Sequence, residues 1–142
     1  MDKSVCLKIS RLSQNRRYLV DKKMKEFGLC RTEWRMMVNY DCLEQPATQK
    51  ALLKALDIDA AHLARTLEKL EKESYIIRKP VPENKRSLNI YLTKEGEELL
   101  KKIQKVMAWE NELLFSGFTE VERDVFTACL DKMEKNIAGF SS

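Results

Sequence analysis

The chain has 142 residues, 34% of them charged and 44% hydrophobic, with a formal net charge of +4. This is enough for one compact domain with its own core and no disulfide staples. Four widely spaced cysteines, Cys6, Cys30, Cys42 and Cys129, and a single histidine suggest neither a zinc site nor a disulfide framework, so reduced thiols, no metal and no cofactor are expected.

The amino terminus lacks the apolar run of a signal peptide, and no segment approaches the roughly 20 apolar residues needed to cross a bilayer. A soluble, cytoplasmic protein without a membrane partner is the expectation. The basic character lies at the front: residues 1–31 carry 9 Lys/Arg against 3 Asp/Glu, residues 32–93 carry 10 against 9, and residues 94–142 carry 7 against 10. A balance this even does not by itself point to nucleic acid, so the placement of the charges has to.

In chain order, Val5, Ile9, Leu12, Leu19, Met24 and Phe27 recur at roughly helical spacing and predict a helix from about Lys3 to Phe27, with Gly28 as its stop. Thr32 is expected to cap a second helix through Cys42, with Trp34, Met37, Val38 and Asp41 along one side. Two short helices follow, about 49–55 and 60–73, capped by Thr48 and Asp59 and separated by the turn Leu56-Asp57-Ile58. The period then changes. Tyr75–Lys79 and Ser87–Leu92 are strand-like, and Pro80, Pro82 and Asn84 break the run between them, predicting a hairpin with a long polar tip. Thr93 caps a long helix from Lys94 to about Phe115. Thr119 and Glu122 form a capping-box pattern that opens a last helix, to about Ala138.

On the helix beginning at Ala60, Leu63, Leu67 and Leu70 form the inward stripe, while Ala61, His62, Arg65 and Lys69 fall on the other side. That outer face suits a duplex groove. Arg65 can donate twice to a guanine edge, His62 can pair near the helix start, Ala61 can touch a thymine methyl, and Lys69 is placed for phosphate with Thr66 at the margin. A solvated helix face is the ordinary reading of such residues. Here a preceding helix offers Thr48 and Gln49, and a following hairpin offers Lys79, Asn84, Lys85 and Arg86, so three phosphate-seeking elements sit on one unit.

The order Thr48-Gln49-Lys50-Ala51-Leu52, then Ile58 to Lys72, then Pro82-Glu83-Asn84-Lys85-Arg86 and Leu92-Thr93-Lys94-Glu95-Gly96 resembles the MarR family of winged helix-turn-helix transcription regulators. The resemblance implies a mainly α fold with a small β-hairpin wing. A winged helix-turn-helix DNA-binding domain at 32–93 would be flanked by dimerisation helices at 1–31 and 94–142. It further implies a homodimer on double-stranded DNA, recognition helices in successive major grooves, and wing arginines in the minor groove. Release by a small aromatic or phenolic effector is also implied, with Trp34, Met37 and Tyr40 as lining residues. Two departures stand out: Asn84 occupies the place of a wing carboxylate, and Ser74 stands where a glycine usually follows the recognition helix.

The expected function is thus a sequence-specific regulator, a repressor on pseudo-palindromic operators. One alternative is a thiol-redox-responsive regulator of the same fold, triggered at Cys6, which lies early in a basic helix. The other is a winged-helix module that binds protein. An enzyme is not expected, because His62 has no matching nucleophile or carboxylate and no Gly-rich phosphate loop is present.

Overall fold

The structure is a computed structural model, and it describes residues 4–141. Its elements in chain order are α1 (Ser4–Met24), α2 (Arg31–Cys42), β1 (Ala47–Thr48), α3 (Gln49–Ala55), α4 (Ala60–Lys72), β2 (Ile76–Val81), β3 (Asn84–Leu92), α5 (Lys94–Leu114) and α6 (Glu120–Ser141). The expected helix start at Lys3 lies outside the described residues. The chain forms two compact units, 1–108 and 109–142.

In the first unit α1 gives way to a 3₁₀ turn over Lys25–Phe27, and Gly28 closes it with φ of +73° and its N–H on the Lys25 carbonyl. Only glycine takes that conformation without strain. The next helix is capped differently from the expectation. Its N-cap is Cys30 and not Thr32, and the Cys30 N–H donates to Glu33 Oε1 at 3.1 Å. The reciprocal carboxylate of a capping box thus does the work assigned to a hydroxyl two residues later.

The bounds of α3 and α4 follow from their caps. Thr48 Oγ1 accepts the Ala51 N–H at 3.0 Å, and Asp59 Oδ1 accepts the His62 N–H at 2.7 Å. Each cap satisfies an amide that the first turn leaves without an intrahelical partner. Behind α4, Leu63, Leu67 and Leu70 are wholly buried and meet a core that includes Met24, Met36, Met37, Leu52, Ile76 and Ile90. Burial of each such leucine contributes about 2 kcal/mol.

The turn after α4 falls on Ser74, whose φ is +66°. A non-glycine residue is held left-handed there, as its departure from the family pattern suggested. β2 and β3 then pair antiparallel, with Ile76 opposite Leu92 and Arg78 opposite Ile90. Two features differ from expectation. A two-residue stretch, β1, pairs with β3 at Ala47↔Ile90 and Thr48↔Asn89, making a three-stranded sheet in the order β1-β3-β2. The hairpin tip is also short. β2 runs through Pro80 to Val81, β3 begins at Asn84, and only Pro82 and Glu83 turn the chain. Pro80 is tolerated because β2 is an edge strand and the register shifts beside it.

That shift shapes the wing. Pro80 pairs with Leu88 and Val81 with Asn84, so Lys85, Arg86 and Ser87 form a bulge with no opposite residues on β2. All three are exposed or half-exposed. At the foot of the wing Thr93 begins α5, its hydroxyl accepting the Gly96 N–H at 3.0 Å and donating to the Ser74 carbonyl.

In the second unit, Thr119 Oγ1 accepts the Glu122 N–H and Glu122 Oε1 accepts the Thr119 N–H, at 3.1 and 3.0 Å, which is the capping box read from the sequence. Phe115, Phe118 and Phe126 stack edge to face at centroid separations of 5.1–6.2 Å. α6 runs on to Ser141, past the expected end at Ala138. Val121, Val125, Leu130, Ile137 and Phe140 are exposed along it.

Candidate nucleic-acid interface

The expected base-facing residues of α4 separate into two groups. Ala61 and Arg65 are exposed, and among the described residues Arg65 has no hydrogen-bond or ion-pair partner. The other members of that face are engaged by the protein itself. His62 Nε2 lies 3.1 Å from Thr32 Oγ1, so the ring leans on the first turn of α2. Lys69 Nζ is 3.0 Å from Glu33 Oε1 and 3.9 Å from Glu73 Oε1. Thr66, assigned to the margin, is buried and donates to the His62 carbonyl at 3.0 Å, so its hydroxyl is spent inside its own helix.

Of the residues preceding α4, Thr48 is half-buried with its hydroxyl oxygen on the Ala51 amide. Gln49 is also half-buried, and its Oε1 is buried without a hydrogen-bond partner. It lines a cleft of about 340 Å³ together with Lys50, Leu53, Leu63, Arg86 and Leu88. Thus α3, α4 and the wing bulge meet around Gln49. In the wing itself Lys85 and Arg86 are exposed. Lys79 lies over the Tyr91 ring, 5.6 Å from its centroid.

Asn84 has a specific local role. Its Oδ1 accepts the Arg86 N–H at 3.1 Å and its Nδ2 donates to Ser87 Oγ at 3.2 Å. The amide orders the backbone of the bulge, whereas a carboxylate would have offered only acceptors. It fixes where Arg86 leaves the chain and leaves the guanidinium itself unpaired by Asn84.

The proposed effector residues lie in the core. Met37 is wholly buried, and Trp34 is buried with Nε1 donating to Asp21 Oδ1 at 2.8 Å. Tyr40 is buried too, its hydroxyl donating to the Ile90 carbonyl at 3.0 Å. Tyr40 also borders a cleft of about 430 Å³, with Asp41, Tyr91, Leu92, Leu100 and Gln104. Aromatic and Met side chains at helical spacing have here filled a core. Cys6 is an exposed thiol on α1, and Cys30, Cys42 and Cys129 are likewise exposed and free.

Sequence periodicity missed the ion pairs that frame this surface. Asp21 accepts from Arg31 Nη2 at 2.6 Å as well as from Trp34, and Arg78 Nη2 pairs with Glu71 Oε1 at 3.1 Å, joining the wing to α4. The Arg78 hydrogen bond holds the Glu71 carboxyl below its ordinary value. Burial opposes ionisation of Glu33, but hydrogen bonds from Cys30 and Lys69 outweigh it and hold that carboxyl low. Burial likewise opposes ionisation of Asp21, and Arg31 with Trp34 overcomes it.

Each of these carboxyls is more acidic when folded than when unfolded. Their contribution is therefore complete above the unfolded values, 3.8 for Asp21 and 4.5 for the glutamates, and is lost as pH falls toward the folded ones. Urea denaturation midpoints should stay level above about pH 5 and fall below it, with a shallower fall in Glu33→Gln. A midpoint insensitive to acid down to about pH 3 would contradict the ion-pair assignments.

The sequence model of the MarR family matches residues 31–88. Solved structures agree over nearly the whole length. A MarR transcriptional regulator from Methanosarcina mazei Go1 is 26% identical, with 98% of this chain and 99% of that chain covered and a TM-score of 0.87. A MarR family transcriptional regulator from Listeria monocytogenes, complexed with 26mer DNA, is 27% identical over 97% of this chain and 91% of that chain, with a TM-score of 0.86. A MarR protein from Peptoclostridium difficile is 26% identical, at 96% and 89% coverage and a TM-score of 0.85.

Proposed function

We propose that this chain, whose residues 31–88 match the MarR family model, is a transcriptional regulator of that family and binds double-stranded DNA sequence-specifically as a homodimeric repressor. The observation that carries the reading is the joint presentation of Arg65 on α4 and the Lys85-Arg86 bulge of the wing, all exposed on one unit whose leucine stripe faces inward. An Arg fork suits a guanine edge in the major groove, and a basic wing suits phosphate or the minor groove beside it. The Listeria monocytogenes relative in complex with DNA supports the same reading.

Homodimer formation is supported by the apolar surface that the outer helices leave exposed. Val5, Leu7, Ile9 and Leu12 on α1, and Val121, Val125, Leu130 and Phe140 on α6, are all open to solvent, so each of these helices carries an apolar run that a partner would cover. Two recognition helices then meet half-sites about one turn, ~34–36 Å, apart on a pseudo-palindromic operator. Repression follows by occupying DNA that polymerase needs. Release by a small aromatic or phenolic molecule would use the cleft beside Tyr40.

Selection from a pool of random duplexes tests this directly. The expected product is an enriched inverted repeat with half-sites one turn apart. A pool that stays random through successive rounds would contradict sequence-specific regulation.

A further inference from the structure

Four consecutive residues at the start of α2 face two ways. Arg31 and Trp34 reach back to one carboxylate on α1, Asp21, through bonds of 2.6 and 2.8 Å. Between them Thr32 and Glu33 reach the opposite way, to His62 and Lys69 of α4, at 3.1 and 3.0 Å. Both of these α4 residues were expected to touch DNA. They lie seven residues apart, two turns along one helix face, so α2 holds α4 at two points along its length.

The Glu33–Lys69 pair differs from an ordinary surface ion pair. Its lysine is half-exposed, with 53% of the side chain open, but its carboxylate is only 1% exposed. One carboxylate oxygen takes the Cys30 N–H and the Lys69 ammonium, and the other is buried with no hydrogen-bond partner. If Lys69 swung out to a phosphate, Glu33 would be left as a buried charge without its cation, which is far more costly than losing an exposed pair.

We infer that Glu33 is a positioning residue for the recognition helix: it holds Lys69 away from the phosphates, and with Thr32 it sets the pose in which Arg65 meets the bases. This rests on the DNA-binding reading above. The arrangement favours discrimination over affinity. A lysine free to follow any phosphate strengthens every sequence alike, whereas a lysine tied to α2 adds nothing to non-specific binding.

Three proteins test it: wild type, Glu33→Gln, and Glu33→Gln/Lys69→Met, in which neither side of the pair leaves a charge buried alone. Binding of each to a selected site and to scrambled duplex is followed across a salt series. In Glu33→Gln the released lysine should steepen the slope of log K against log salt by about 0.9 and raise non-specific affinity roughly tenfold near 0.1 M salt. The ratio of specific to non-specific affinity should fall. The double variant should return to the wild-type slope.

An unchanged slope in Glu33→Gln overturns the inference, and so does a double variant whose slope is shallower than wild type by about one, since Lys69 would then already touch phosphate. Amide hydrogen exchange without DNA gives an independent reading. Residues 63–69 should exchange roughly tenfold faster in Glu33→Gln while residues 99–106 of α5 keep their rates. A wild-type chain that binds no duplex removes only the DNA reading. The exchange rates then decide, faster exchange in α4 supporting the inference and unchanged exchange overturning it.

Discussion

Gly96→Ala is expected to destabilise the protein by about 3 kcal/mol or more, the upper part of the range for overpacking a close contact. A Cβ built at Gly96 would stand 2.0 Å from the Tyr75 carbonyl oxygen and 3.0 Å from its carbonyl carbon. Both obstacles are backbone, so no rotamer change relieves them. Tyr75 is itself held, its N–H on the Leu70 carbonyl and its carbonyl accepting the Thr93 N–H, each at 3.0 Å. To make room, the first turn of α5 must move off the junction between α4 and the wing, giving up the Thr93 bonds to Tyr75 and Ser74. Chemical denaturation measures the loss directly. A midpoint within error of wild type would mean that α5 does not approach Tyr75 as described.

Arg65→Ala carries the largest expected effect on function. On the proposed operator it should cost ~1–3 kcal/mol and relax preference at one base position per half-site, leaving binding to scrambled duplex little changed. The side chain is exposed, and the buried stripe of its helix lies on the other side, so stability should hold. Arg65→Lys should lose most of the same discrimination despite keeping its charge, because a lysine lacks the planar fork that meets two acceptors at once. Repeating the random-pool selection with each variant reads this out. An unchanged sequence profile in Arg65→Ala would mean that the helix docks in another orientation.

Much of the fold was legible in local sequence because local chemistry decides it. Thr48 and Asp59 mark the starts of α3 and α4, since each cap bonds an amide three residues on. The spacing of Leu63, Leu67 and Leu70 identified the buried side of α4 because helical period alone settles which residues share a face. The left-handed Ser74 was signalled by the family resemblance, which implies a glycine at that place after the helix.

What escaped depends on partners distant in sequence. β1 is two residues long and exists through its pairing with Ile90 and Asn89, too short for any period to show. The capping carboxylate of α2 was missed because Thr32 offered a more familiar cap than Cys30 with Glu33. Pro80 reads as a strand breaker until its strand is known to lie at an edge beside a bulge. The candidate site shows the same division. The outward direction of Lys69 and His62 was readable from the helix, but their engagement by Glu33 and Thr32, 36 and 30 residues away, was not. Trp34 and Met37 illustrate the converse, since side chains suited to a ligand cleft also suit a core, and packing against the other elements decided between them.

The central claim is that Arg65 and the wing bulge make this chain a reader of specific duplex sequence. Titration of fluorescently labelled duplex, selected site against scrambled sequence of the same length, at several salt concentrations, tests it most directly. Affinity for the selected site should stand at least about a thousandfold above the scrambled one near physiological salt, with both falling as salt rises. Equal affinities that fall together with salt would contradict it and leave a protein that coats DNA through charge alone.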